Sequence, residues 1–168
     1  MAIARLSRQT LFVRFVAESV IRAPAERVFA FHELPDAVAR LTPPWAGSRV
    51  VEQPTSLEKG TRTIVDIRVL PLIWIRAVLE HSGIERPIWF EDRQLSGPFR
   101  SWRHMHRVVA EDGQARLVDA IDFELPFEPW SRWLAGRLAV RRLERLFAYR
   151  HEVTRAWCEG SEGAERTR

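Results

Sequence analysis

Residues 129–157 carry an apolar pattern with the period of an α-helix, and this pattern constrains the fold more than any other feature. The apolar side chains fall on one broad arc, and most of the arginines lie opposite. An apolar helix face of this length must be buried against another element. The pattern therefore predicts a long amphipathic C-terminal helix that lies on a sheet.

The residues before this helix supply the strands. Seven segments have the β-branched and aromatic content or the alternation of strands: residues 11–21, 49–53, 61–69, 73–81, 88–95, 100–110 and 115–125. Two short helices, separated by Pro35, follow the first strand. Strands joined by short turns form an antiparallel meander with helices on one side. We predict an α+β fold of order β-αα-β6-α, in which a curved antiparallel sheet wraps round the C-terminal helix.

The composition fits one folded domain. The 168 residues are 46% apolar and 29% charged, which is ordinary for a globular protein. No repeat or linker interrupts residues 12–157, and we expect them to form a single domain. The polar ends predict a flexible N-terminus over residues 1–11 and a flexible tail over residues 158–168.

The basic residues do not form a nucleic-acid site. The net charge is +4, but the 26 lysines and arginines alternate with 22 acidic residues, and only Lys59 is a lysine. Nucleic-acid binding needs a focused basic stripe, so we expect no nucleic-acid partner. The sequence leaves the oligomeric state open.

The sequence also indicates where the protein is found. The longest apolar run, residues 69–75, contains Pro71 and is far shorter than the roughly 20 residues of a membrane-spanning helix. No apolar h-region of a signal peptide follows Arg5 and Arg8, so we expect no secretory signal, no integral membrane association and a cytoplasmic location. Cys158 is the only cysteine and excludes an internal disulfide.

Alternation in residues 100–110 indicates which side chains face the interior. Arg103 and Arg107 share one face of this strand, whereas Trp102, His104 and His106 share the other. Arginines are rarely buried without partners. We therefore predict that the face with the tryptophan and the histidines points toward the helix.

The Asp112-Gly113 dipeptide sets the register of the following strand, because it is the preferred sequence of a two-residue hairpin turn. In that register Arg103 lies opposite Asp122 on the outer face, a favourable charge pair. On the inner face His106 lies opposite Asp119, and Trp102 lies opposite Phe123. A five-residue connection around Pro98 places Asp92 opposite His104.

The inner face thus collects polar groups among apolar ones: Asp92, Gln94, His104, His106 and Asp119 beside Trp102, Ile121 and Phe123. A buried polar group without a partner costs about 1–3 kcal/mol, so these groups either pair with one another or line a wet cavity. A few convergent polar groups in an apolar concavity are typical of a small-molecule site.

Several interpretations of these residues remain open. The pairs His106–Asp119 and His104–Asp92 are structural, contact a ligand, or act in catalysis. A His-x-His motif beside a carboxylate could also bind zinc, but the motif alone is a weak signal, and we expect no metal ion and no cofactor. No motif in the sequence identifies a nucleophile.

Three further residues are candidate ligand contacts. Arg150 falls inside the apolar arc of the helix and either extends its charge to solvent or reaches an inward carboxylate or an acidic ligand group. Trp45 and Trp74 either pack in the core or border the mouth of a cavity.

The sequence resembles a known superfamily in several motifs. Residues 19–31 resemble the strand-to-helix start of the SRPBCC superfamily, which includes START and birch-pollen-allergen-like helix-grip proteins. Several further motifs resemble a bacterial branch of this superfamily, which is described as cyclase/dehydrase-like or ligand-binding. These motifs are Pro43-Pro44-Trp45, Phe90-x-Asp92-x-Gln94-x-x-Gly97-Pro98-Phe99-x-x-Trp102-x-His104-x-His106, Asp119 and Leu125-Pro126-Phe127. The resemblance covers residues 12–157.

This resemblance implies a helix-grip fold that binds a small lipid-, polyketide- or aromatic-like molecule between the sheet and the C-terminal helix. The alternative that it implies is a polyketide cyclase, aromatase or dehydratase. In that case His106 and Asp119 form the general base, while His104 or Gln94 polarises a carbonyl. The fold alone does not decide between binding and catalysis. A third alternative is a partner-binding module that uses the arginine face of the last helix.

Overall fold

The computed structural model describes residues 2–6, 12–126 and 129–160, with side chains over residues 12–126 and 135–160. These residues form one antiparallel sheet of eight strands: β1 Ala2–Leu6, β2 Val13–Ile21, β3 Ser48–Glu52, β4 Arg62–Leu70, β5 Ile73–Glu85, β6 Trp89–Ser96, β7 Ser101–Glu111 and β8 Gln114–Glu124. The helices are α1 Ala25–His32, α2 Ala37–Arg40 and α3 Pro129–Glu159, and a 3-10 turn covers Pro44–Ala46.

The strand order, β1-β2-β8-β7-β6-β5-β4-β3, is a meander from β3 to β8 to which β2 is added beside β8. The predicted α+β class, the seven predicted strands, the two short helices and the long C-terminal helix are confirmed. Strand β5 extends four residues beyond its predicted end, through Glu85. None of the helices in the described residues is both long enough and apolar enough to cross a membrane.

Both ends differ from the prediction. Part of the N-terminus that we expected to be flexible forms β1, which pairs antiparallel with β2 and covers the edge of that strand. Helix α3 continues through Glu159, whose carboxylate accepts hydrogen bonds from the backbone and the guanidinium of Arg22 at 2.9 and 3.2 Å. Residues 7–11 and 161–168 of the predicted flexible ends lie outside the described residues.

The β7–β8 hairpin has the predicted register. Its ladder runs from Ser101 opposite Glu124 to Glu111 opposite Gln114. Asp112 and Gly113 connect the strands with φ values of +45° and +81°, as a type I′ turn requires. On the outer face the Arg103 guanidinium lies 3.2 Å from the Asp122 carboxylate, as expected.

Gly113 offers a test of this turn, because an added Cβ there meets no atom within 4 Å. Gly113→Ala is therefore expected to lower the free energy of unfolding through backbone strain alone, by about 1–2 kcal/mol. Gly113→Asn is the matched control and should lose less, because asparagine tolerates positive φ. Urea denaturation measures both variants, and an alanine variant as stable as the parent contradicts the assigned turn.

Two apolar groups cover the concave face of the sheet at its two ends. One lies around α1 and the end of α3 and includes Phe31, Leu117 and Trp157. The other lies under the middle of α3 and includes Phe123 and Phe147. Along β8, Asp119 falls between Leu117 of the first group and Ile121 of the second. The fold therefore buries the inward polar residues between two apolar clusters.

Candidate functional site

Strands β6, β7 and β8 bring together the predicted inward residues. Asp92 lies opposite His104, and His106 lies opposite Asp119, in the ladders that join these strands. All four side chains are buried, and none is more than 8% exposed. The predicted inward direction of these residues is confirmed.

Three histidines that we did not predict complete the site: His32 on α1, His81 on β5 and His151 on α3. All five histidines of the sequence are therefore buried in one region with two aspartates. We call the seven residues the histidine cluster: His32, His81, His104, His106, His151, Asp92 and Asp119.

The sequence contained signals for two of these histidines. His32 follows the buried Val28 by four residues on α1, and His151 follows the buried Phe147 by four residues on α3. A four-residue spacing places both members of a pair on one helix face. His81 lies opposite Asp92 in the β5–β6 ladder, for which we predicted no register.

Asp119 lies at the centre of the cluster. Its carboxylate oxygens contact the Nε2 atoms of His104 and His151 at 2.8 and 2.7 Å. The Nδ1 atom of His106 is also 2.7 Å from Asp119 Oδ1, but it lies out of line for a hydrogen bond. This carboxylate therefore ties the helix to the sheet.

The hydrogen bonds cross the ladder diagonally, which corrects the predicted pairs. We expected His106 to bond Asp119 and His104 to bond Asp92, because each pair is directly opposite. Instead His104 bonds Asp119, and His106 Nε2 bonds Asp92 Oδ2 at 3.3 Å. Side chains lean along the strand direction, so diagonal neighbours come within reach of a long ring.

The two carboxylates and their imidazoles change one another's pKa values. Burial lowers the pKa of His106, but the close negative charges of Asp119 and Asp92 and the hydrogen bond to Asp92 outweigh it and raise that pKa to about 9. Burial raises the pKa of Asp119, but the charge of His106 and bonds from the surrounding imidazoles hold it well below its usual value. The pKa of His104 is lowered by burial and by the His106 charge. At neutral pH an imidazolium thus lies between two carboxylates.

Some polar atoms of the cluster have no partner among the described residues. They are both ring nitrogens of His81, which are buried. An unsatisfied buried polar atom costs about 1–3 kcal/mol. Such atoms are rare in folded proteins and indicate a functional constraint or a missing partner.

Aromatic rings surround the cluster. Phe90 stacks on the His106 ring with a centroid distance of 4.0 Å, and Phe147 meets His104 edge-on at 5.3 Å. Of the predicted aromatic contacts, Phe123 is fully buried and Trp102 is half-buried, with its ring 6.4 Å from that of His104. The site therefore joins ionisable groups to apolar surface.

Gln94 was predicted to belong to this site but has a different partner. Its side-chain amide donates a hydrogen bond to the Phe99 carbonyl at 2.8 Å, which holds the loop after β6. Gln94 thus lies beside the cluster, and its side-chain hydrogen bond stabilises the loop after β6.

Trp45 and Trp74 lie at the surface. Trp45 is 40% exposed, with the Arg145 guanidinium 4.2 Å above its ring. Trp74 is 41% exposed and is covered in the same way by Arg49 at 4.8 Å. Neither indole lines the histidine cluster in this structure.

The side chain of Arg150, on α3, extends toward the end of α2. Its Nε atom donates to the Leu41 carbonyl at 3.1 Å, and its guanidinium lies 5.1 Å from the Phe147 ring centroid. Burial lowers its pKa, while the charges of Asp119 and Asp92 act in the opposite direction. The inward carboxylates therefore affect the pKa of Arg150, but its hydrogen bond goes to the backbone.

The cavity predicted between the sheet and the C-terminal helix stays a prediction: none of the seven cluster residues is more than 8% exposed. A groove of about 480 Å³ lies between α3 and the α1–α2 segment, lined by Phe31, Arg40 and Tyr149 among others. A second concavity of about 530 Å³ lies around residues 52–62. Neither concavity includes a residue of the cluster.

No protein-family model matches this sequence, and no curated protein is similar to it. Solved structures do match. A nucleoside-diphosphate sugar epimerase from Corynebacterium glutamicum is 25% identical, with a TM-score of 0.63. The match covers 83% of this chain and 28% of the epimerase, so the chain spans just over a quarter of that protein's length.

Two further matches extend along most of both chains. The protein TTHA0849 from Thermus thermophilus is 21% identical over 85% of this chain and 97% of its own, with a TM-score of 0.64. The Zhui aromatase/cyclase from Streptomyces sp. R1128 is 17% identical over 94% and 96%, with a TM-score of 0.59. These likenesses show a shared fold.

Proposed function

We propose that this chain, which has the helix-grip fold of the SRPBCC superfamily, binds a small hydrophobic molecule whose polar end contacts the histidine cluster. The observation that carries the proposal is the pair of ring nitrogens of His81, which have no hydrogen-bond partner among the described residues and are buried beside the Phe90 ring. A carbonyl or hydroxyl group of a ligand would supply the missing hydrogen bonds.

The surroundings of these nitrogens favour a ligand that is mostly apolar. Phe90 and Phe147 contact the imidazoles directly, and Trp102 lies within reach. A lipid-, polyketide- or aromatic-like molecule would bury apolar area against these rings at about 25 cal/mol per Å². The proposed contacts are those that we expected from the sequence: Asp92, Gln94, Trp102, His104, His106, Asp119, Phe123, Trp45, Trp74 and Arg150.

Binding requires the interior to widen, because none of the cluster residues is more than 8% exposed. Three half-buried residues lie beside the cluster: Gln94 on β6, Phe99 in the loop between β6 and β7, and Trp102 on β7. We propose that these side chains move when a ligand enters. Trp45 and Trp74 lie at the surface and Arg150 bonds the Leu41 carbonyl, so these three residues would contribute only if the opening extends beyond the cluster.

His81→Leu separates binding from stability. The ring nitrogens of His81 make no hydrogen bond among the described residues, so leucine should leave the free energy of unfolding unchanged or raise it by up to about 1 kcal/mol. Ligand affinity should fall at least tenfold, because one polar contact is lost. Native mass spectrometry and thermal shift with oleate and with a hydroxylated anthraquinone, on EDTA-treated protein, measure both effects.

Arg93→Ala is the matched control, because Arg93 is exposed on the adjacent strand β6. It should bind both probes as the parent does. If the parent binds neither probe, or if His81→Leu binds them with unchanged affinity, the proposed site is wrong.

The second candidate function is cyclisation or dehydration. It is favoured by the position of His106 between two carboxylates and by the structural likeness to the Zhui aromatase/cyclase. With its pKa raised to about 9, His106 suits a proton donor better than the general base that we expected from the sequence. It would protonate a departing hydroxyl group, while the neutral His104 accepts the proton from the adjacent carbon.

His106→Gln tests the catalytic alternative. If His106 is the acid, kcat for dehydration of a β-hydroxyketone should fall about 10²–10⁴-fold. Turnover by the parent is the first requirement, and a glutamine variant with the parent's kcat eliminates this mechanism.

A further inference from the structure

We infer that Asp92, His104 and His106 form a binding site for one divalent first-row transition-metal ion, such as zinc or ferrous iron. The sequence predicted no metal site, because a lone His-x-His motif is a weak signal. The structure adds the geometry of the ligand atoms and their surroundings. This inference does not depend on the proposed organic ligand.

The three candidate ligand atoms are close to metal-binding distances already. Asp92 Oδ2 lies 3.5 Å from His104 Nδ1 and 3.3 Å from His106 Nε2. One ligand atom from each of the three residues lies within 4.8 Å of the others. Bonds of about 2.0–2.2 Å to a tetrahedral ion place neighbouring ligand atoms about 3.3–3.5 Å apart. Two of the three spacings therefore fit without a backbone movement.

The ring nitrogens on the far side of both histidines face one carboxylate. His104 Nε2 is 2.8 Å and His106 Nδ1 is 2.7 Å from Asp119 Oδ1. Metal-binding histidines almost always direct their second ring nitrogen to a carboxylate, a carbonyl or water, which orients the ring. Asp119 is itself held by His151 at 2.7 Å. The cluster thus contains an outer carboxylate as well as the three ligands.

His81 is an independent sign that a partner is missing. Its ring is buried beside Asp92 in the β5–β6 ladder, and neither nitrogen has a hydrogen-bond partner in the described part of the chain. Imidazole is a preferred ligand of zinc and of ferrous iron. We assign His81 as the fourth ligand, which would reach the ion when its ring rotates toward Asp92.

The charges of the site also favour a cation. Asp92 and Asp119 place two carboxylates in the interior within reach of the same imidazoles. Buried carboxylates need compensation by cations or hydrogen bonds. A divalent ion at Asp92, His104 and His106 would supply that compensation in place of the His106 proton, which would leave to solvent when the ion binds.

Titration of the EDTA-stripped chain with Zn²⁺ and with Co²⁺ tests the site. We expect binding of one ion with micromolar or tighter affinity, intense visible absorption from four-coordinate Co²⁺, and a rise in the melting temperature. Asp92→Asn should weaken Zn²⁺ binding at least tenfold. The control Asp122→Asn changes the same residue type on the outer face of β8 and should bind as the parent does.

A second measurement needs no variant. In the parent protein, sub-stoichiometric Co²⁺ should broaden the imidazole ¹⁵N signals of His104 and His106 before those of His32. Absence of one-to-one binding, or broadening that spares His104 and His106, overturns the metal site. The readouts are made without organic ligand and the ligand assays with EDTA, so either proposal can fail while the other stands.

Discussion

Replacement of Asp119 by asparagine is expected to lower the free energy of unfolding by about 3–5 kcal/mol, the range for breaking a buried ion pair. The Asp119 carboxylate is 3% exposed and contacts His104, His106 and His151, on β7 and α3. An amide carries no charge, so the imidazolium of His106 would remain buried with Asp92 as its single carboxylate contact. Urea denaturation of EDTA-treated protein at neutral pH measures the loss.

Asp122→Asn is the control for this prediction. Asp122 is on the same strand but faces outward, where Arg103 and Arg14 lie 3.2 and 3.8 Å away. Exposed ion pairs contribute at most about 1 kcal/mol. If the two substitutions cost the same, the histidine cluster does not hold the helix to the sheet as the structure indicates.

Phe147→Ala is expected to have a similarly large effect, about 3–5 kcal/mol. The Phe147 ring is 2% exposed and lies 5.5 Å from the ring of Phe15 on β2 and 5.3 Å from that of His104 on β7. Truncation would leave a void between α3 and the sheet, because the neighbouring rings cannot fully collapse into it.

Leu138→Ala is the control on the same helix. Leu138 is 68% exposed, and exposed substitutions usually change stability by less than about 0.5 kcal/mol. Thermal and urea unfolding of both variants give the comparison. A Phe147 variant that loses no more than the Leu138 variant would mean that α3 does not pack on the sheet through this face.

The fold could be predicted because its strongest signals are local. The change from strand alternation to the helical period near residue 129 separates the sheet from α3. The Asp112-Gly113 turn permits one register for β7 and β8, and that register places His106 opposite Asp119. Each conclusion depends on neighbouring residues alone, so no knowledge of distant contacts was needed.

The rest of the site depends on contacts between distant elements. His32, His81 and His151 come from α1, β5 and α3, and no local pattern states that these elements meet at Asp119 and Asp92. On α3 the sequence placed Arg150 inside the apolar arc, and the structure shows that the adjacent His151 is the residue that reaches Asp119.

Side-chain conformation decided one other difference and sets the space beneath α3. The hydrogen bonds of His104 and His106 run diagonally rather than straight across the ladder, which the register does not specify. Whether the space beneath α3 is open depends on how Phe90, Phe147 and the imidazoles fill it. Alternation gives the direction of a side chain but not the volume that remains beside it.

The central claim is that the five imidazoles form one buried cluster around two aspartates. A long-range ¹H–¹⁵N correlation spectrum of the imidazoles tests this claim most directly. We expect slowly exchanging ring N–H protons for His104, His106 and His151, and shifts of all three signals in Asp119→Asn. Ring protons that exchange with water as in free histidine, or an Asp119→Asn spectrum with unchanged imidazole signals, would contradict the buried cluster.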